Sequence, residues 1–92
     1  MFEEDRFVIK DKDGKDQVFY KLILFESSIT NKSYIIYTDN TYTDNTLNLY
    51  GSILIIDGEE LKLQEAKDEI DIQEINKAII KVKVQLDNDS KH

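Results

Sequence analysis

The hydrophobic period of this chain changes once, after Glu65, and that change restricts the fold more than any other feature of the sequence. Before it, apolar runs rich in β-branched and aromatic residues are separated by turn signals such as Asp13-Gly14 and Asp57-Gly58. These runs predict strands at residues 6–10, 16–26, 33–38, 47–56 and 60–63. Consecutive strands joined by short turns pair antiparallel, so this part of the chain predicts a meander sheet.

After Glu65, apolar residues recur every three or four positions, which is the spacing of one helix face. The members of this stripe are Ile72, Ile75, Ile79, Val82 and Leu86. Asp71 is the predicted N-cap, with Glu74 three residues later as its capping-box partner. The segment from Ile80 to Leu86 also alternates with period two and could form a strand. The cap and the longer stripe favour the helix.

The predicted architecture is an α+β fold: a curved antiparallel meander sheet of four or five strands, with one C-terminal helix packed on a face. A chain of 92 residues is too short for two cores. We expect a flexible N-terminus at 1–5, a single domain at 6–86 and a flexible tail at 87–92. The chain has no cysteine, no signal-peptide pattern and no apolar run near the ~20 residues that span a bilayer. We therefore expect a cytoplasmic protein.

The charge of the chain argues against two classes of partner. The net charge is −7 and the isoelectric point is near 4.6. Phosphate backbones and anionic lipid headgroups both repel such a surface, so we expect neither nucleic-acid nor membrane binding. The absence of cysteine also excludes disulfides, thiolate catalysis and cysteine-based zinc sites.

The residue types needed for catalysis are scarce. The single histidine is the last residue, His92, so no positioned imidazole base or Ser-His-Asp arrangement is expected. The three glycines are scattered, so there is no phosphate-binding loop. Acidic pairs such as Glu59-Glu60 and Asp68-Glu69 fall at turns or at the helix start, as solvated carboxylates do. We expect a non-catalytic protein without a cofactor.

A tandem repeat, YTDNTYTDNT, occupies residues 37–46. Asp39 and Asp44, with the neighbouring threonines, offer oxygen ligands that could suit a divalent cation or a small ligand. The same residue types also satisfy the backbone of solvated loops, and the spacing matches no calcium-binding loop. A loop lengthened by duplication is the favoured interpretation, and a metal- or ligand-binding module is the alternative function.

Both faces of the longest predicted strands are apolar, although one helix can cover only one face of a small sheet. Phe19, Ile23 and Phe25 are predicted to share the uncovered face, and Ile80 with Val84 forms a second apolar patch on the helix. Strong curvature of the sheet, which buries both faces, is one explanation of this pattern, and a surface for a protein partner or a second copy is the other. On the second explanation, these five residues are the predicted interaction sites. Gly51, inside a strand, indicates a bulge or the close approach of another backbone or an aromatic ring.

Several short motifs resemble those of a bacterial family of small acidic proteins, the domain of unknown function 1292 family, or YrzB-like proteins. The motifs are Asp11-Lys12-Asp13-Gly14 in a turn, Phe25-Glu26, the run from Ser33 to Asp39, and Tyr50-Gly51-Ser52, where the family usually has alanine at the middle position. The resemblance covers about residues 6–85. It implies no catalytic residue, and it leaves the leading expectation a protein-interaction or accessory module.

Overall fold

A computed structural model of the chain describes residues 6–10 and 13–90. Its elements follow in the order β1 Arg6–Lys10, β2 Asp16–Glu26, β3 Ser33–Thr38, β4 Tyr42–Thr43, β5 Thr46–Leu47, β6 Tyr50–Asp57, β7 Glu60–Gln64 and α1 Glu69–Ser90. Five strands form one antiparallel sheet in the order β1-β2-β3-β6-β7, and this sheet is curled into a half-barrel. The predicted α+β fold with a C-terminal helix is confirmed.

The connection between β3 and β6 contains a small hairpin of its own. β4 pairs with β5 through Tyr42 opposite Leu47 and Thr43 opposite Thr46. Asp44 and Asn45 connect the two strands with φ angles of 52° and 66°. Two consecutive residues with positive φ are the requirement of a type I′ turn, which is the tight connection that matches strand twist. The second copy of the repeated sequence therefore forms a hairpin tip that the sequence analysis assigned to a loop.

The ends of the helix differ from the prediction. α1 begins at Glu69, and the backbone carbonyl of Asp68 accepts a hydrogen bond from the amide of Ile72 at 3.0 Å. Asp71 therefore lies inside the first turn, and its assignment as the N-cap is wrong. The helix continues to Ser90, so residues 80–86 are not a strand, and residues 87–90, predicted as tail, have helical backbone. Residues 1–5 and 91–92 of the predicted termini lie outside the described residues.

The core lies between α1 and strands β3 and β6. Its buried members are Tyr34, Ile36, Ile53, Ile75, Ala78 and Val82. Half-buried side chains surround them, including Leu22, Ile23, Phe25, Leu49, Ile79 and Leu86. The inward side of α1 begins at the buried Asp71, whereas Ile72, the first member of the predicted apolar stripe, is 40% exposed. The stripe is thus confirmed from Ile75 onward, with a carboxylate at its first position.

Gly51 is the point of closest contact between α1 and the sheet. A Cβ atom at this position would lie 2.2 Å from Cγ2 of Ile75 and 3.0 Å from Cδ1 of Ile36. Carbon atoms in contact are normally 3.5–4.0 Å apart, so no larger residue fits without moving the helix. A close approach at Gly51 is confirmed, but the approaching group is the aliphatic side chain of Ile75 and not a backbone or a ring.

Candidate interaction surface

A register shift in β2 separates the apolar residues that were predicted to share one face. Lys21 lies opposite Tyr37 while Ile23 lies opposite Ile36, so one extra residue enters β2 between them. A bulge of this kind reverses the alternation of side chains beyond it. Phe19 therefore faces away from the helix, whereas Ile23 and Phe25 pack against the core under α1. The prediction that the three share a face is wrong.

The side of the sheet opposite the helix is called here the open face. Strand register and side-chain alternation assign its members. The described residues of this face are Phe7, Ile9, Gln17, Phe19, Lys21, Leu24, Glu26, Ser33, Ile35, Tyr37, Tyr50, Ser52, Leu54, Ile56 and Leu63. Most are half-buried or exposed, with Leu24 at 51% and Ile56 at 66%. The open face is therefore both apolar and accessible to solvent.

Four aromatic rings form a contiguous cluster on the open face. The ring centroids of Phe19 and Tyr37 are 4.9 Å apart with planes at 72°, an edge-to-face arrangement. Phe7 lies 5.8 Å from Phe19 and 5.7 Å from Tyr37, and Tyr50 lies 5.8 Å from Tyr37. On a flat sheet, strands two apart are separated by about 9.6 Å, so the rings from β1 and β3 lean together. Such pairs stabilise the sheet beyond the burial of the rings.

Three hydroxyl groups of the open face, those of Tyr37, Tyr50 and Ser52, are hydrogen-bonded within the chain. The hydroxyls of Tyr37 and Ser52 hydrogen-bond each other at 2.9 Å. The Tyr50 hydroxyl donates to Oδ2 of Asp39 at 3.1 Å, and burial together with this bond raises the pKa of Tyr50. Apolar surface can cover these hydroxyls without leaving a polar atom unsatisfied.

The second predicted patch lies on the outer side of the helix. Ile80 and Val84 are 61% and 54% exposed and stand one turn apart on α1. They lie on the opposite side of the molecule from the open face, because α1 packs on the other side of the sheet. The structure therefore does not bring Phe19 and the Ile80–Val84 pair into one surface.

A group of polar side chains, called here the latch, joins the first turns of α1 to the β2–β3 turn and was not predicted from the sequence. Its members are Ser27, Lys32, Tyr34, Asp71 and Glu74. Asp71 accepts hydrogen bonds from the Tyr34 hydroxyl at 2.6 Å and from Nζ of Lys32 at 2.9 Å. These two donors hold the pKa of Asp71 below its ordinary value, the Tyr34 bond contributing most. Glu74 accepts a hydrogen bond from the Ser27 hydroxyl. The carboxylates that resembled a capping box instead fix the helix to the sheet.

The same latch changes the ionisation of its two donors. The pKa of Tyr34 is raised, chiefly by burial and then by the hydrogen bond to Asp71. The pKa of Lys32 is raised by its hydrogen bond to the same carboxylate. All three shifts favour the charge states that form the latch at neutral pH: phenol, ammonium and carboxylate. The sequence signal that could have revealed the latch is the placement of Asp71 on the inward face of the helix, four positions before Ile75.

The two aspartates of the repeat are placed differently. Asp39 is half-buried and accepts hydrogen bonds from the backbone amide and hydroxyl of Thr41 as well as from Tyr50. The Thr41 hydroxyl contributes most to the lowered pKa of Asp39. Asp44 is exposed in the type I′ turn. In the described part of the chain, no group of three or more acidic or histidine side chains is arranged to hold a metal ion.

A groove of about 630 Å³ lies beside the start of α1. Lys32 and Asp71, which line it, are paired with each other at 2.9 Å and serve the latch. The remaining wall combines the β6 segment from Ile53 to Ile56 with polar side chains, which are Asn31, Ser33, Gln64, Glu65, Lys67 and Asp68.

The chain shows no significant match to a protein-family model, to a curated protein or to a solved structure. The resemblance to the domain of unknown function 1292 family therefore rests on the sequence motifs and stays a prediction. Over the described residues, no helix is both long and apolar enough to span a membrane.

Proposed function

We propose that this protein is a non-catalytic interaction module of the cytoplasm, and that its open face docks on another protein molecule. The observation that carries the proposal is the combination of a contiguous aromatic cluster with strongly exposed aliphatic side chains on one face. Interface centres are rich in aromatic residues and poor in charge, as this face is.

The electrostatics of two carboxylates, Asp39 and Asp71, support the non-catalytic part of the proposal. A general acid at neutral pH needs a carboxyl group whose pKa is raised. The pKa values of Asp71 and Asp39 are both lowered, and each carboxylate is held by donors that are structural parts of the fold. Neither is available as a proton donor.

The composition of the open face favours a protein over the other partner classes. Among the described residues of this face, one is basic and one is acidic, Lys21 and Glu26, and they form no basic surface for a phosphate backbone. With a net charge of −7, the chain as a whole also repels nucleic acid and anionic lipid.

The test is affinity capture of the tagged full chain from its host, followed by mass spectrometry. The informative variant carries Leu24→Lys and Ile56→Lys, which place two charges on exposed positions of the open face. The matched control carries Ile80→Lys and Val84→Lys, with the same charge change at similar exposure on the opposite side. We expect a stoichiometric partner, including untagged copies of the chain itself, to be lost with the first variant and kept with the second.

The opposite pattern assigns the interaction to the helix. If the Ile80 and Val84 substitutions remove the partner while the Leu24 and Ile56 substitutions leave it bound, the open face is not the docking surface. Circular dichroism of both variants establishes that each retains the native fold, because all four positions are more than half exposed.

A further inference from the structure

Three lysines stand in the middle of α1 and not at its end. The helix continues to Ser90, and its last turn contains no basic residue. A cation stabilises a helix through the macrodipole only near the last turn, so this effect does not account for Lys77, Lys81 and Lys83. Lys77 and Lys81 are also four positions apart, where like charges repel each other and destabilise a helix. Helix stability therefore does not explain why these lysines are present.

The segment that carries these lysines differs in charge from the rest of the chain. Residues 75–86 contain three basic residues and no acidic residue, whereas all 19 acidic residues of the chain lie outside them. Lys77 has an acidic neighbour, since its Nζ lies 3.6 Å from Oε2 of Glu74. The positions three and four residues from Lys81 hold lysine, alanine, valine and glutamine, so no acidic residue of α1 stands beside it on the helix surface. The middle of α1 is thus locally basic in a chain of net charge −7.

The three lysines surround the exposed apolar pair of the helix. Ile80 and Val84 are 61% and 54% exposed, and the side chain of Lys77 is 66% exposed. Lys81 and Lys83 are exposed as well. At about 3.6 residues per turn, these two lysines lie on either side of the line that joins Ile80 to Val84. Together the five residues form a surface called here the basic helix patch, which faces away from the sheet because the buried residues of α1 face toward it.

We propose that the basic helix patch binds an acidic segment of another protein, whose carboxylates meet the three lysines and whose apolar side chains cover Ile80 and Val84. Opposite charge across an interface directs the encounter and selects the partner, while apolar contact at the centre excludes water. The patch extends over about 10 Å of the helix, which is about two turns of a partner helix. This inference goes beyond the proposed function, since it concerns a different surface on the opposite side of the molecule.

The charge of the remaining chain favours a short protein segment over a larger anionic partner. Outside residues 75–86, 19 acidic residues stand against nine basic ones. A membrane or a nucleic acid presents its negative charge over a wide area and is repelled by this acidic remainder. A short acidic segment contacts the patch alone, and at physiological ionic strength the charges more than about 8 Å away are largely screened.

The test is the binding of a labelled synthetic peptide that carries leucine along one helix face and glutamate at every other position, measured by fluorescence anisotropy with the full chain. We expect binding that weakens as salt is added, because the attraction is between unlike charges. The Lys81→Glu and Lys83→Glu double variant should raise the dissociation constant by about tenfold or more. The matched control, Lys15→Glu with Lys67→Glu, makes the same charge change at exposed positions outside the helix and should raise it far less.

The Lys81→Arg and Lys83→Arg variant keeps both charges and should bind the peptide as the unsubstituted chain does. Circular dichroism establishes that each variant retains the native fold, because all four positions are exposed. The inference is overturned if the peptide does not bind, if both glutamate variants lose binding equally, or if binding is insensitive to salt. It is also overturned if the Lys81 and Lys83 charges are needed instead for binding phosphatidylglycerol vesicles or for self-association, since a lipid surface or a second copy is then the occupant.

Discussion

Replacing Gly51 by alanine tests the closest contact between helix and sheet. The new methyl carbon would lie 2.2 Å from Cγ2 of Ile75, about 1.3 Å closer than normal carbon contact allows. Ile75 is β-branched and fixed in the core, so the clash moves backbone instead of a flexible side-chain end. Overpacking of this kind costs about 1–3 kcal/mol. Reduced freedom of the unfolded chain offsets about 0.4–1 kcal/mol of that cost.

We therefore expect Gly51→Ala to lower the free energy of unfolding by about 1–2 kcal/mol. For a chain of 92 residues this corresponds to a fall in Tm of about 5–10 °C. Urea unfolding monitored by circular dichroism measures the first quantity, and a thermal scan measures the second. The measurement is made at one protein concentration, because self-association would add to the apparent stability.

A double-mutant cycle tests whether the contact with Ile75 causes the loss of unfolding free energy in Gly51→Ala. Ile75→Ala removes Cγ2, so Gly51→Ala should cost little or nothing in that background, and the two substitutions should couple by about 2 kcal/mol. Val82→Ala is the matched control, since Val82 is buried on the same helix face but lies about 10 Å further along it. In the Val82→Ala background, the loss of unfolding free energy caused by Gly51→Ala should be unchanged. A neutral or stabilising Gly51→Ala, or a cost that survives Ile75→Ala, would refute the reasoning.

The remaining predictions concern the latch and the repeat. Tyr34→Phe removes a hydrogen bond to a carboxylate and should cost about 2 kcal/mol of unfolding free energy in urea titrations at neutral pH. Because the folded-state pKa of Asp71 lies below its ordinary value of 3.8, the stabilisation is present above about pH 4 and is lost as pH falls further. Asp71→Asn should therefore flatten the decline in stability below about pH 4, and an unchanged slope would show that other groups govern it. Millimolar Ca²⁺ or Mg²⁺ should leave Tm unchanged, since Asp39 is already bonded internally; a rise that Asp39→Asn abolishes would establish the alternative metal-binding function.

The strand order was predictable because turns and alternation are local signals. The turns at Gly14 and Gly58, both with positive φ, lie where the sequence placed them, and the meander follows from short connections. The helix was predictable from its stripe, whose longer range outweighed the local alternation at 80–86. Local pattern and tertiary structure agree in these segments.

The bulge near Leu22 could not be predicted in the same way. Nothing in the run from Val18 to Phe25 marks where an extra residue enters, because the bulge is set by the pairing of β2 with β3 across a curled sheet. One inserted residue changed the face of Ile23 and Phe25, and with it the predicted interaction site. The Asp71 cap failed for a related reason. Several residues before α1 can cap a helix, and packing on Tyr34 and Lys32 decided the register.

The aromatic residues of the open face also have a purely structural explanation. Edge-to-face pairs among Phe7, Phe19, Tyr37 and Tyr50 stabilise the sheet by about 0.5–1.5 kcal/mol each beyond their burial, so these rings could be kept for stability alone. Leu24 and Ile56 have no such stabilising role, because they are more than half exposed and belong to neither the core nor the aromatic cluster.

A solvent-exposed sheet face usually carries polar residues at such positions, because side chains alternate between the two faces and polar residues on one face leave the core unchanged. If Leu24 and Ile56 serve packing within the chain, replacing both with threonine should cost clearly more than the ±0.5 kcal/mol typical of surface substitutions. If they serve an interface, the same double variant should keep its unfolding free energy, measured at a protein concentration where the chain is monomeric, and lose association. The two measurements on one variant decide between a stabilising aromatic cluster that happens to be exposed and a docking surface.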